Sequence, residues 1–239
     1  MLIVSNRNFI GILISVLVIG LFESCDQPPE LPLEPKITFN SIRYSPGNNL
    51  SDSLILKIDF EDGDGDLGID YNETDPKFQE FFFVRKSGGL MPSFIENEII
   101  RYGTPNQPDF DTKNWFVADF DGDSVVDTVR IEYNENFYNI FLDFFYRADT
   151  NNDGDISDDT DYIRIDFEEI FGFTLNSRFF PLNTADNERP LKGTLTFKMV
   201  QSFRLNPIIR DNILKIDVQI QDRAFNKSNI VSTNDFQLQ

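Results

Sequence analysis

Three short runs of the sequence crowd aspartates into glycine-containing turns. The first, DGDGD, places Asp62, Asp64 and Asp66 at alternate positions directly after the apolar run SLILKIDF. Close like charges repel each other by roughly 1 kcal/mol even in water. Calcium takes about six to eight oxygen ligands, so a cation among these carboxylates would relieve the repulsion. The run therefore predicts a calcium site. The alternative is a solvated hairpin turn, because Asp-Gly is a favoured hairpin connection.

A third run, DTNNDGDISDDTD, resembles the opening of an EF-hand or dockerin-type calcium loop. The resemblance lies in the spacing of its oxygen ligands, in the central Gly154 and in the following apolar Ile156. Position twelve is Thr160 instead of a carboxylate, and the strand-like YIRIDF follows instead of a helix. We therefore expect a calcium-binding turn between strands, with these candidate ligands: Asp149, Asn151, Asp153, Asp155 and Asp159.

The second run, DFDGDSVVD, resembles the opening of the same loop less closely. Ser124 replaces the usual glycine, and Arg130 occupies the twelfth position. A solvated turn is again the alternative. The candidate calcium ligands of this run are Asp119, Asp121, Asp123 and Asp127.

The elements that must position these turns are β-strands. Short runs rich in Ile, Val, Phe and Tyr alternate with polar residues and are separated by Asn, Asp and Gly. Beyond the N-terminus, no stretch keeps a 3.6-residue apolar period over a dozen residues. We therefore predict an all-β fold: an Ig-like antiparallel β-sandwich over residues 37–239, with a long, mainly β insertion at about 90–178.

Two strands share the sequence ILKID, at Ile55–Asp59 and at Ile213–Asp217, and each leads into a loop that carries carboxylates. In an Ig-like sandwich the second and the penultimate strand lie in opposite sheets and deliver their following loops to the same end. This arrangement predicts that Asp222 joins Asp62, Asp64 and Asp66 as a metal ligand.

The combination of IDFEDGDGDLG with PLKGTLTF and IQDRAFNKSNIV resembles a family of Ig-like lipoproteins from polysaccharide-degrading Gram-negative bacteria. The resemblance covers residues 36–80 and 178–239. It implies an extracytoplasmic β-sandwich without an assigned reaction. The middle of the chain, about 90–178, lies outside the resemblance.

The N-terminal residues 1–24 have the pattern of a signal peptide, with Arg7 before the apolar run Phe9–Phe22. A membrane span is the competing interpretation, but the run is short for a bilayer and ends at Glu23. The closing LFESC resembles a bacterial lipobox, which implies cleavage before Cys25 and a lipid on that residue. Residues 25–36 then form a proline-rich tether. We expect an outer-membrane lipoprotein that faces the periplasm or the cell exterior.

Charge and residue types exclude several classes of function. The net charge of −19 and the lack of clustered Lys and Arg exclude nucleic acid as a partner. The chain has no histidine, and its one cysteine is expected to be lipidated, which excludes Ser-His and Cys-His catalysis and His-ligated zinc. We therefore predict a lipid-anchored, extracytoplasmic, calcium-binding structural or binding module without catalytic activity, with a protein or a glycan as its possible ligand.

Two alternatives stay open at this stage. One is a glycan-binding accessory lipoprotein of a polysaccharide-uptake system, in which Tyr102, Trp115 and Tyr133 would stack on sugars. The other is a carboxylate-dependent glycosidase, which would need two carboxylates about 5 to 10 Å apart beside exposed aromatic residues.

Overall fold

The computed structural model describes residues 31–47, 52–158, 160–183, 189–201 and 206–238. From Pro32 onward they belong to one compact unit. The predicted signal peptide, the predicted lipid attachment at Cys25 and the candidate ligand Asp159 lie outside the described residues. Within the described ranges, no helix is long and apolar enough to cross a membrane.

The regular secondary structure of the described chain is almost entirely β-strand. The exceptions are a 3-10 turn at Pro76–Phe78 and two short helices, α1 (Phe167–Phe171) and α2 (Pro207–Arg210). Every strand pair is antiparallel. The strands in chain order are β1 (Lys36–Ser45), β2 (Asp52–Asp62), β3 (Phe81–Val84), β4 (Leu90–Met91), β5 (Trp115–Ala118), β6 (Asp127–Tyr133), β7 (Ile140–Arg147), β8 (Tyr162–Ile165), β9 (Leu191–Gln201), β10 (Leu214–Ile220) and β11 (Val231–Ser232).

Two of the three sheets form a sandwich. The first sheet has the order β1-β2-β9 and the second has the order β11-β10-β7-β8. In an Ig-like sandwich the first, second and fifth strands share one sheet, and the third, sixth and seventh share the other; the strands here are divided in the same manner, with the fourth strand, β8, in the second sheet. The second strand, β2, and the penultimate strand, β10, are each central in their own sheet. The prediction of an all-β antiparallel sandwich is therefore confirmed.

The core lies between these two sheets because alternate residues of each strand point inward. Along β2 the burial alternates with period two, and β10 shows the same alternation. Each fully buried Leu or Ile contributes about 1.5 to 3 kcal/mol relative to its exposed state. The inward residues of the two central strands are Leu54, Leu56, Ile58 and Phe60 in β2, and Leu214, Ile216, Val218 and Ile220 in β10.

The third sheet, in the order β4-β3-β6-β5, lies between β2 and β7 in the sequence and has a small core of its own. Its core consists of Phe83, Met91, Ile99, Val129 and Ile131, with Phe81, Phe94, Phe116 and Phe120 packed against them.

The third sheet does not coincide with the predicted insertion at about 90–178. β3 lies before this range, while β7 and β8 lie inside it and belong to the sandwich, where β7 pairs along its length with β10. The sequence did not reveal this because the strands of the third sheet and those of the sandwich have the same short, alternating apolar pattern. Only the pairing with β10 assigns β7 to the second sheet.

Candidate metal centre

Four carboxylates converge at one end of the sandwich. Asp62 is the last residue of β2, and Asp222 follows β10 by two residues. An antiparallel bridge between Leu67 and Asp222 joins their loops. One carboxylate oxygen from each of four residues lies within 4.8 Å of the others. We call this group the aspartate tetrad; its members are Asp62, Asp64, Asp66 and Asp222.

The tetrad loop, residues 63–68, is held by backbone hydrogen bonds from distant parts of the chain. The N–H of Gly63 donates to the carbonyl of Pro32 at 2.7 Å, and the carbonyl of Leu67 accepts from the N–H of Leu182 at 3.0 Å. Gly65 has a φ of +76°, and a Cβ there would collide with the carbonyl group of Arg189. Glycine is needed at this position because of its positive φ and because the two backbones approach closely.

Burial distinguishes the tetrad from an ordinary acidic turn. Asp62 and Asp222 are 0% exposed, and Asp64 and Asp66 are half-buried. Among the described residues, neither oxygen of Asp62 has a hydrogen-bond partner, nor does the Oδ1 atom of Asp64 or of Asp66. A buried carboxylate without a partner is strongly destabilising, since it has lost its hydration and gained no compensating contact. The described residues therefore supply no group that binds these anionic oxygens.

The pKa values reflect the same lack of compensation. Burial, together with the charges of the other three tetrad carboxylates, raises the pKa of Asp62 to about 7. Burial also raises the pKa of Asp66 to about 6, although the backbone N–H groups of Arg223 and Ala224 act in the opposite direction. Without a cation, the tetrad would therefore retain bound protons near neutral pH.

Asp222 differs from the other tetrad members because both of its carboxylate oxygens accept hydrogen bonds, and Asn226 donates both of them. The backbone N–H of Asn226 donates to Oδ1 at 2.7 Å, and its side-chain amide donates to Oδ2 at 2.8 Å. Burial raises the pKa of Asp222, while these bonds to Asn226 act to lower it. Sequence reasoning missed Asn226, and its spacing of four residues from Asp222 was the only available signal.

Neither a protein-family model, nor a curated protein, nor a solved structure matches the chain. The resemblance to Ig-like lipoproteins therefore stays a prediction, and the function is inferred from the geometry and charge of this chain.

Positive charge does not compensate the tetrad within the described part of the chain, where none of the salt bridges includes a tetrad carboxylate. Arg223 is adjacent to Asp222 in the sequence, but its guanidinium pairs with Glu73 at 2.7 Å. The four carboxylates thus face one another with no side-chain cation of the described chain paired to them.

Arg178 holds the segment that follows the tetrad loop. This residue is buried, and its guanidinium donates to the carbonyl of Phe137 at 2.5 Å, to that of Asp70 at 3.4 Å and to that of Phe78. Burial lowers the pKa of this arginine. Because its donors satisfy main-chain carbonyls, Arg178 is a structural residue that fixes the path of the chain behind the tetrad.

The second acidic run forms an exposed turn. Oxygens of Asp119, Asp121 and Asp123 lie within 4.8 Å of one another, but all three residues are exposed. Asp119 already accepts the N–H groups of Gly122 at 2.7 Å and of Ser124 at 3.0 Å. The fourth candidate, Asp127, is outside this group, since it is buried and paired with Arg101.

The third run also satisfies its own acceptors. Asp149 accepts the N–H groups of Asp153 at 3.1 Å and of Gly154 at 2.9 Å, and Asn151 accepts that of Asp153 at 2.9 Å. Asp155 accepts from the backbone N–H of Ser157 at 2.9 Å. In the described part of this run, no three carboxylates lie close enough to share an ion. Spacing that resembles a calcium loop thus does not assemble a carboxylate cluster here.

The three aromatic candidates for sugar stacking do not form one open row. Trp115 is 2% exposed, and its indole N–H donates to the carbonyl of Asp109 at 3.1 Å. Tyr102 is exposed and meets the Trp115 ring edge-on, with ring centroids 5.2 Å apart. Tyr133 is exposed and contacts Phe81. Trp115 therefore contributes to packing, and its face is not presented as a platform.

Proposed function

We propose that the chain is a lipid-anchored, extracytoplasmic structural or binding module whose sandwich is stabilised by a calcium ion in the aspartate tetrad. The proposal of a bound cation rests on the fully buried carboxylate of Asp62. This carboxylate has no hydrogen-bond partner among the described residues and faces three further carboxylates. A divalent cation supplies the missing compensation for this buried charge.

The donor set favours calcium over other cations. The tetrad offers only carboxylate oxygens, whereas zinc prefers sulfur and nitrogen ligands, and the chain has no histidine. Magnesium demands near-ideal octahedral geometry and usually keeps several waters, which suits a buried carboxylate such as Asp62 poorly. Calcium accepts irregular sets of carboxylates and carbonyls from flexible loops.

The position of the tetrad supports a structural role. Asp62 ends β2 and Asp222 follows β10, and these two strands are central in opposite sheets. In antibody domains a disulfide joins the corresponding two strands. This chain has one cysteine and cannot form an internal disulfide. A cation bound by both loops would link the two sheets in its place.

The absence of an enzymatic role is part of the same proposal. The tetrad oxygens lie within 4.8 Å of one another, and two of the four residues are fully buried. A glycosidase needs room for a sugar between its two carboxylates, and in an inverting enzyme for a water molecule as well. The lipid anchor on Cys25 rests on the sequence pattern, and the proline-rich tether would hold the sandwich near the membrane.

Isothermal titration calorimetry of residues 26–239 with calcium and with magnesium tests the site. We expect calcium binding in the wild type that is lost in Asp62→Asn and in Asp222→Asn. The matched control is Asp121→Asn, which removes an exposed carboxylate from the second run and should leave this binding unchanged. A wild type that binds no calcium, or tetrad variants that bind it as the wild type does, would contradict the proposal. Circular dichroism must show that each variant is folded.

A further inference from the structure

The outward surface of the first sheet is basic, although the protein as a whole is acidic. The alternation along β2 points Leu54, Leu56 and Ile58 into the core, so the intervening side chains face outward. The register of β1, β2 and β9 arranges the outward residues in cross-strand rows. We call this surface the basic face; its rows are Lys36–Glu61–Lys192, Thr38–Asp59–Thr194, Ser41–Lys57–Thr196 and Arg43–Ile55–Lys198.

The basic face carries five cations and two carboxylates, a local excess of three positive charges on a chain of net charge −19. Both carboxylates are already engaged, because Glu61 pairs with Lys192 at 2.6 Å and Asp59 accepts hydrogen bonds from Thr194 and Asn40. The other four cations form no salt bridge within the described ranges; they are Lys36, Arg43, Lys57 and Lys198.

Three of these cations form a triangle on the outward side of the sheet. Arg43 and Lys198 lie on either side of Ile55 in register, two strand spacings or about 10 Å apart. Lys57 lies diagonal to both of them, between Ser41 and Thr196. A concavity of about 450 Å³ occupies the first two rows of the face, with Lys36, Asp59 and Lys192 in its lining, and it does not include the triangle. The triangle itself, with the hydroxyls beside it, suits a broad anionic surface better than a small enclosed ligand.

The tether brings this surface close to a membrane. Lys36 is the first residue of β1 and lies in the first row of the basic face. The carbonyl of Pro32, four residues before Lys36, already accepts from the N–H of Gly63, so the free tether is the six residues 26–31. These would span about 20 Å in an extended proline-rich conformation, so a lipid on Cys25 would keep the start of the folded unit, and the first row of the basic face beside it, near the phosphate headgroups.

We propose that the basic face docks on an anionic membrane surface and contacts its phosphate headgroups. This proposal rests on the lipid anchor of the proposed function. Each Lys or Arg close to an anionic bilayer favours contact by about fivefold, so the excess of three positive charges favours it by about a hundredfold before screening. The remainder of the chain carries a larger negative charge and is repelled by the same surface. The two effects together orient the sandwich with the first sheet toward the membrane.

The single cysteine makes a direct test possible. The mature chain is coupled through Cys25 to a maleimide lipid in vesicles of neutral phosphatidylcholine, or in vesicles that also contain about one third phosphatidylglycerol. Calcium is kept at one constant concentration. Pulse acetylation of lysines, read by mass spectrometry, then reports which side chains face the bilayer. We expect the acetylation rates of Lys57 and Lys198 to fall about fivefold or more on the anionic vesicles and to recover in roughly 0.5 M salt.

Lys113 provides the internal control, because it is exposed and lies outside the first sheet. Its rate should be the same on both vesicles. In the variant Arg43→Gln/Lys198→Gln, the protection of Lys57 should largely disappear. Equal rates for Lys57 on neutral and anionic vesicles would overturn the proposal, and so would equal protection of Lys113.

Protection of Lys57 by soluble dextran sulfate but not by anionic vesicles would also overturn it, in favour of a soluble polyanion as the partner. Because the coupling is chemical, this test does not depend on natural lipidation. Failure of the predicted anchor is detected separately, by the absence of lipid on Cys25 in cells.

Discussion

The variant Asp62→Asn should be more stable than the wild type when no metal is present. In calcium it should lose that advantage. The pKa of Asp62 is raised from 3.8 to about 7, and each pKa unit corresponds to about 1.4 kcal/mol. At pH 8 without metal, the buried charge therefore costs about 4 kcal/mol. Asparagine removes the charge but leaves a buried amide without full hydrogen bonding, at a cost of about 1 to 3 kcal/mol. The net gain in EDTA is about 1 to 3 kcal/mol.

Calcium should remove most or all of the variant's advantage, because calcium binds the wild type more tightly. At a free calcium concentration a thousand times the dissociation constant, the wild type gains about 4 kcal/mol of unfolding free energy. If the loss of one anionic ligand weakens binding about a hundredfold, the variant gains only about 1.4 kcal/mol under the same conditions. The difference between the two proteins should then shift by about 2.7 kcal/mol in favour of the wild type.

Urea unfolding at pH 8 is the suitable assay, because urea is uncharged and leaves the electrostatic interactions unscreened. Far-UV circular dichroism should be the main probe, since the single Trp115 reports on the third sheet and not on the sandwich. The control Asp121→Asn removes an exposed charge and should change stability by less than about 0.5 kcal/mol in EDTA. If Asp62→Asn lowers stability equally in EDTA and in calcium, the carboxylate is not strained by its charge and the reasoning is refuted.

Three further predictions follow from the same geometry. In EDTA, the unfolding free energy should fall as pH rises from about 4 to about 7, because folded Asp62 keeps a proton that the unfolded chain has released. Urea midpoints at several pH values measure this fall, and saturating calcium should abolish it. An increase in the unfolding free energy over this range would contradict the prediction. Gly65→Ala should lower the unfolding free energy by well over 1 kcal/mol, because the position has a positive φ and the new Cβ would collide with the Arg189 carbonyl. The control Gly122→Ala has nearly the same φ but open space around it, so it should show only the backbone strain. Equal urea midpoints for the two variants would rule out the close approach. Arg178→Met should lower the unfolding free energy by about 2 to 4 kcal/mol, because it leaves buried carbonyls without donors. A urea midpoint equal to that of the wild type would mean that water replaces those hydrogen bonds.

The sequence by itself determined the class of fold and the place of the tetrad along the chain. Period-two alternation in SLILKI and in ILKIDVQI is a local property, because it follows from the opposite directions of successive side chains in a strand. The shared ILKID also predicted that β2 and β10 deliver their loops to one end. That prediction placed Asp222 beside Asp62, and the structure brings the two together.

The tertiary structure alone decided which acidic run becomes buried. The runs at Asp62 and at Asp119 both have aspartates at alternate positions, and both bring three carboxylates close together. Only the first is covered by distant backbone, from Pro32, Arg189 and Leu182. Burial depends on contacts between residues far apart in the sequence, and no local pattern records them. The same holds for β7, whose assignment to the sandwich depends on its pairing with β10. The physical reason is that hydration of a carboxylate and pairing of a strand are both set by what the rest of the chain places beside them.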